Sequence, residues 1–250
     1  MKIDPIHQFN IEPLFTIGHI GNQTIAFTNS SFYMFLAVAL ISLLMIGGVA
    51  SRQLVPGRFQ SMAEITYEFV ASTIRNTAGS EGMKFFPLIF SLFMFICVSN
   101  LVGIIPYTFT ISSHIIVTAA LALLVFFTVL IYGLYKNGLK FFRIFVPSVP
   151  IYILPLVMFI EILTFFLRPV SHSVRLFANM LAGHIALKVF AGFVAMLGVS
   201  LGAVGWLGGI FPLGLTVALT ALELLVAFLQ AYVFAILTCI YLNDAIHPGH

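Results

Sequence analysis

Residues 171–184 read Ser-His-Ser-Val-Arg-Leu-Phe-Ala-Asn-Met-Leu-Ala-Gly-His, and they lie inside a long apolar region that runs from about 152 to 198. Arg175 is the residue to explain. No acidic residue stands within ten positions of it on either side. An arginine stays protonated in proteins, and at a bilayer centre it costs roughly 2.5 kcal/mol or more. A chain keeps such a charge only where something requires it.

Working outward, the whole chain has the composition of a membrane protein. Of 250 residues, 61% are hydrophobic and 8% charged, and the mean hydropathy is +1.12. Soluble domains carry about 25% charged residues. The apolar runs are continuous, which predicts an all-α integral membrane protein rather than a barrel of alternating strands. A net charge of +3 with no basic cluster among aromatics excludes a nucleic-acid binder. No HExxH, CxxC, GxGxxG or P-loop pattern occurs, so no cofactor and no soluble-enzyme chemistry is expected. Cys97 and Cys239 lie in separate runs and read as small apolar residues.

About five crossings and one surface helix are expected within a single membrane domain. Residues 1–30 form a polar arm without the pattern of a signal peptide. A first span covers 32–49, with Asn29-Ser30-Ser31 as its N-cap. Residues 61–78 predict an amphipathic helix, with Met62, Ile65, Phe69 and Ile74 on its apolar side and Glu64, Glu68 and Arg75 on its polar side. Gly79 to Gly82 should end it. A second span covers 85–105 and stops at Pro106; a third covers 114–135, with Tyr107, Tyr132 and Tyr135 near the interfaces. Residues 31–146 thus hold three spans and the surface helix.

Residues 147–250 should form an antiparallel hairpin of two long, tilted helices. Pro147, Pro150 and Pro155 mark its start, and 202–212, rich in glycine with Trp206 as an interfacial anchor, its return loop. The second leg covers 213–242. Both legs exceed the roughly 20 residues that cross a bilayer upright, so tilt or kinking is expected. Arg52, Arg58, Arg75, Lys84, Lys136, Lys140 and Arg143 place two basic segments in the cytoplasm, or in the matrix of an organelle, whereas 106–113 has no basic residue. The N-terminus is then outside and the C-terminus inside. No internal repeat is visible, which weakens an inverted-repeat transporter.

The spacing of the intramembrane polar residues is informative. Asn179 follows Arg175 by four positions and shares its face; Glu161, fourteen before, lies near the same stripe; His184, nine after, lies on roughly the opposite face. Glu223 and Gln230 are two turns apart on one face. In an antiparallel pair, facing residues keep a nearly constant index sum. Arg175 with Gln230 and His184 with Glu223 give nearly the same sum, so both pairs match in height, although His184 is on the wrong face for one straight seam. Intramembrane carboxylates and histidines are typical of proton relays. The plainer readings make Asn100, Asn179 and Gln230 helix–helix glue, His114 and His172 packed core residues, and Arg168 and Lys188 long side chains reaching polar surroundings. His7, His19, His247 and His250 lie in the tails and carry no assignment. A purely structural scaffold leaves the aligned polar groups unexplained.

Residues 168–184, Arg-Pro-Val-Ser-His-Ser-Val-Arg-Leu-Phe-Ala-Asn-Met-Leu-Ala-Gly-His, together with 229–238, Leu-Gln-Ala-Tyr-Val-Phe-Ala-Ile-Leu-Thr, resemble subunit a of the rotary F-type ATP synthase. The similarity extends through Asn-Leu-Val-Gly-Ile-Ile-Pro at 100–106. Asp-Pro-Ile-His-Gln-Phe at 4–9 is similar to α-proteobacterial members, with mitochondrial ones next. The resemblance implies a non-catalytic stator in a bacterial inner membrane. It would be packed against a ring of c subunits and held by peripheral-stalk b subunits. Two offset half-channels would couple proton flow to ring rotation and ATP synthesis. The family's essential arginine matches Arg175, and its relay positions match Glu161, Asn179, His184, Glu223 and Gln230. Many bacterial members carry an acid where this chain has His184 and a histidine where it has Glu223; here the two types are exchanged. The rival reading is a self-contained secondary transporter or proton channel.

Overall fold

The computed structural model describes residues 9–20, 23–50, 55–105, 108–146, 150 and 152–247. Expectations resting on His7, Arg52, Pro106, Tyr107, Pro147 and His250 lie outside the described residues, as do those on the side chains of His19, Arg143 and Trp206.

The architecture is a helical membrane protein with a small β-hairpin at its start. Strand β1 (Pro13–Ile20) pairs antiparallel with β2 (Gln23–Thr28), with Pro13 opposite Thr28 and Ile20 opposite Gln23. Then come α1 (Asn29–Ala50), α2 (Arg58–Gly82), α3 (Phe86–Ile104), α4 (Ile115–Asn137) and the very long α5 (Leu154–Ile246). Among the described residues five helices are long and apolar enough to cross a membrane, counting α2 with α3 as one and the two legs of α5 separately. The expected fold class therefore holds, and the hairpin is an addition to it. Proline stands in the first turn of α5, where its missing N–H costs nothing.

The two legs of α5 are Leu154–Val199 and Gly208–Ile246. At about 1.5 Å per residue, a 46-residue leg is about twice as long as the ~30 Å hydrocarbon layer is thick. The expected return loop at 202–212 is not a loop. Helical backbone continues on both sides of Gly202, which alone breaks it with φ 58° and ψ −132°. A side chain there would be strained, so this glycine is what permits so short a reversal.

One further expectation needs correction. The cap of α1 begins one residue before the expected Asn29-Ser30-Ser31: the Ser31 N–H donates to Thr28 Oγ1 (3.4 Å) and the Ser30 N–H to Asn29 Oδ1 (2.8 Å). Asn29 also holds the arm, its Oδ1 accepting from the Glu12 N–H (3.2 Å) and its Nδ2 donating to the Asn10 carbonyl (3.0 Å). In α2 the buried residues are Gln60, Ala63, Val70, Ala71, Ile74, Ala78 and Gly82, whereas Met62 is 55% exposed and Ile65 68% exposed. Small residues that allow close helix approach dominate the inward face. Gly79, at φ 66°, interrupts α2, but helical structure resumes as far as Gly82.

The chain divides into two compact units. One comprises 1–41, 95–114 and 176–230. Its buried residues include Phe109, Ile111, Leu176, Met180 and Ala227, together with an unusual polar set: Asn100, Thr110, Ser112, His184, Glu223 and Gln230. The other comprises 42–94, 115–175 and 231–250. It buries Ile74, Ile89, Phe93, Val125, Phe141, Phe165, Phe234 and Leu242. There Phe69 packs on Phe93 and Tyr232, at 5.7 and 5.5 Å between ring centres. Lys136 pairs with Glu81, and Asn137 Nδ2 donates to the Ala245 carbonyl (2.7 Å).

Candidate functional site

The polar residues singled out by spacing fall into two clusters and one isolated cation. In the first unit the two legs of α5 meet at His184 and Glu223, with Nδ1 3.1 Å from Oε1. Both residues are only 5% exposed. Of the two pairs inferred from index sums, His184 with Glu223 is therefore realised; the hydrogen bond described for Arg175 goes to Ser171, not to Gln230. The other ring nitrogen, Nε2, lies 3.0 Å from Thr110 Oγ1. Asn100 sits beside this chain of groups. Its Nδ2 donates to the Ala227 carbonyl (3.2 Å), and Ser112 Oγ donates to its Oδ1. Asn100 thus ties α3, the segment before α4 and the second leg of α5 together, which is the glue role. Phe9 packs beside the His184 ring, at 6.2 Å, and Lys188 lies over Phe9 at 5.2 Å. Gln230 is buried.

In the second unit the cluster is built on Arg168. Nη1 donates to Asp244 Oδ2 (2.9 Å), and Nη2 lies 3.9 Å from Glu161 Oε1. The guanidinium also lies over the Tyr241 ring (4.9 Å). Glu161 and Arg168 are two turns apart on one leg, and Asp244 comes from the other. The plain reading of Arg168, a long side chain reaching polar surroundings, takes a definite form: it bridges two acids. Sequence reasoning missed Asp244 because it counted 243–250 as a polar tail. An index sum with Arg168, only slightly above those of the other pairs, could have found it. His172 is buried with its ring edge-on to Phe234 (3.8 Å between centres), and Ser173 shares a hydrogen bond with Thr118 (3.1 Å). These two are core residues, as the plain reading has it for His172.

Arg175 belongs to neither cluster. Its hydrogen bond goes to Ser171 Oγ (3.5 Å), one turn back, and no acid pairs with it among the described residues. It is exposed, as are Val170, Ser171, Val174, Ala178, Asn179 and Ala182. Those positions recur at three and four residues and so form one outward stripe on the helix. Leu176, Met180 and His184 recur on the buried side. This resolves the disagreement between height and face. His184 lies on the buried side against Glu223 of the second leg, whereas Arg175 and Asn179 are exposed.

The chemistry available is proton handling. The first cluster holds an acid, an imidazole and a hydroxyl in series, and the second holds two acids on a fixed cation. No group of three or more histidine, cysteine or acidic residues suited to a metal occurs among the described residues.

Comparison with known proteins gives the family. Residues 31–243 match the family described as ATP synthase A chain. The chain is 87% identical over 251 residues to the ATP synthase subunit a of Bradyrhizobium diazoefficiens, with 100% of both chains covered. It is 78% identical over 251 residues to that of Rhodopseudomonas palustris, again with 100% of both covered. It is also 78% identical over 249 residues to that of Nitrobacter winogradskyi, covering 99% of this chain and 100% of the relative. A match across most of the length, joined to full-length identity at this level, means that the chain belongs to the ATP synthase A chain family.

Proposed function

We propose that this chain is the proton-translocating stator of an F-type ATP synthase, and that Arg175 faces a carboxylate carried by a ring of small c subunits. The chain is a subunit of a bacterial inner-membrane complex and is not itself the catalytic part. The observation that carries the finer reading is Arg175 itself: a permanent cation on an exposed helix stripe, inside an apolar leg, with no acid of its own chain among the described residues. Left facing lipid it would cost roughly 2.5 kcal/mol or more. An acid supplied by a partner removes that cost.

A protonated ring carboxyl is neutral and can face lipid. Beside Arg175 the charged form is favoured, because an opposite charge nearby stabilises it. A proton enters from the outer side through His184 and Glu223 and neutralises one ring carboxylate, and the ring advances. Another carboxyl releases its proton inward by way of Glu161. Asn179, one turn from Arg175 on the same stripe, hydrogen-bonds the passing carboxyl, and Gln230 lines the path from the second leg. Arg175 blocks a direct leak, since a fixed cation repels a proton. Each 100 mV supplies about 2.3 kcal/mol per proton, so several protons are needed per ATP. Seven of the eleven lysines and arginines lie in 51–84 and 136–143. That bias supports a cytoplasmic position for the loops of those segments and an outside N-terminus. Peripheral-stalk b subunits would anchor the stator.

Reconstitution separates this reading from a self-contained transporter or channel. The purified chain alone in liposomes should conduct no protons and take up no solute, whereas the complex containing the ring should pump. Conduction or uptake by the chain alone would favour the rival.

A further inference from the structure

We propose that Thr110 is a positioning residue of the outer proton relay, its hydroxyl fixing which nitrogen of His184 faces Glu223. The inference rests on the outer path proposed above and adds a third group to it. Thr110 is wholly buried, and its Oγ1 lies 3.0 Å from His184 Nε2 and 3.4 Å from the Gly103 carbonyl. On the far side of the ring, His184 Nδ1 lies 3.1 Å from Glu223 Oε1. Hydroxyl, imidazole and carboxyl therefore stand in succession, buried throughout, with Nδ1 close to Oε1 but not aligned on it as a hydrogen bond.

The site is built to hold that line. A Cβ at Gly183 would stand 2.9 Å from Glu223 Oε1, and one at Gly103 would stand 2.8 Å from Thr110 Cγ2 and 3.1 Å from its Oγ1. Each end of the line thus has a glycine clearing room for it. Asn100 and Ser112 brace the same segment: Ser112 Oγ donates to Asn100 Oδ1, and the Ser113 hydroxyl donates to the Thr110 carbonyl (2.6 Å). The backbone carrying Thr110 is fixed from both sides.

A hydroxyl suits this place because it both donates and accepts. When Glu223 is ionised, the Nδ1–H of His184 faces it and Thr110 O–H donates to Nε2. A proton taken up at Nε2 makes the ring a cation. The Nδ1 hydrogen then passes to Glu223 Oε1, leaving a neutral ring protonated at Nε2 and a neutral carboxyl. Thr110 now accepts from Nε2–H and turns its own hydrogen to the Gly103 carbonyl. One proton enters, one is held on Glu223, and Nε2 keeps Thr110 as its partner in both states. Without the hydroxyl, Nε2 is left unpaired in a buried site and the ring loses its preferred orientation.

The test is passive proton conduction through the intact membrane sector, in vesicles stripped of the catalytic head, under an imposed potassium diffusion potential. Thr110→Val keeps the shape and removes the hydroxyl, and should lower conduction about tenfold or more. Thr110→Ser keeps the hydroxyl and should stay within about twofold of the parent chain. Normal conduction in Thr110→Val, or the reverse order of the two variants, overturns the proposal, because shape rather than hydrogen bonding would then matter. Gly103→Ala tests the point without removing the hydroxyl and serves if Thr110→Val does not assemble. Its added Cβ should displace Oγ1 and lower conduction, and unchanged conduction would count against the role. His184→Gln, measured alongside, keeps the two readings apart. Loss there with normal conduction in Thr110→Val removes only Thr110, whereas normal conduction in both removes the outer path itself.

Discussion

Arg175→Ala should abolish ATP-driven proton pumping while leaving the complex assembled. In vesicles stripped of the catalytic head it should also open a passive proton leak. Arg175 is on an exposed stripe and contacts only Ser171 among the described polar side chains, at 3.5 Å. Truncating it therefore removes little internal packing, and a large loss of function cannot be put down to a collapsed fold. What is lost is the interaction with the passing ring carboxylate. At an effective dielectric of about 20 and a separation of about 4 Å, that is about 4 kcal/mol, or about three powers of ten in the ionisation equilibrium. A carboxyl that no longer ionises beside the stator cannot exchange its proton between the two sides. The leak follows from the second role of the charge, since a barrier to protons disappears with it. Fluorescence quenching in inverted vesicles reads both effects. Coupled pumping at the normal rate in Arg175→Ala would remove the mechanism.

The second large effect concerns the outer pair. His184→Glu alone sets two acids where Nδ1 and Oε1 now stand 3.1 Å apart, and Glu223→His alone sets two imidazoles there. Like groups in one buried site cannot both carry the charge the relay needs. Each single change should cut coupled pumping by about ten- to a hundredfold, which is about 1.4 to 2.8 kcal/mol at the rate-limiting transfer. The double exchange restores one acid and one imidazole across the same gap and should recover to within about tenfold of the parent rate. Equal losses in all three variants would mean that the two residues act separately and that their contact is incidental.

The helices were largely legible in the sequence because long apolar runs declare themselves. α1, α3, α4 and the two legs of α5 fall within a few residues of the expected spans. What hydropathy did not reveal was orientation about each helix axis. Met62 and Ile65 face outward, and Ala63, Ala71 and Ala78 face inward, because lipid surroundings give bulky apolar residues no reason to turn in. The contact of His184 with Glu223 was readable from matched heights. The apparent conflict of faces arose from treating Arg175 and His184 as members of one seam, when one points outward and the other inward. Arg168 with Asp244 escaped notice because the acid lies where the helix was expected to have ended. Thr110 escaped because a threonine in a short connection carries no signal until the fold brings it beside a ring nitrogen. The reversal at Gly202 gave only the general signature of a glycine-rich stretch, which cannot say which glycine takes positive φ.

The account stands most directly on what covers the stripe bearing Arg175. A photo-reactive side chain at Ala178, exposed on that stripe, and another at Leu43, exposed on α1, can be activated in native membranes and their adducts identified by mass. The account predicts that Ala178 captures a small, very apolar protein carrying one carboxylate in the middle of a helix, and that Leu43 does not. Capture only of lipid at Ala178, or of a second copy of this chain, would contradict it.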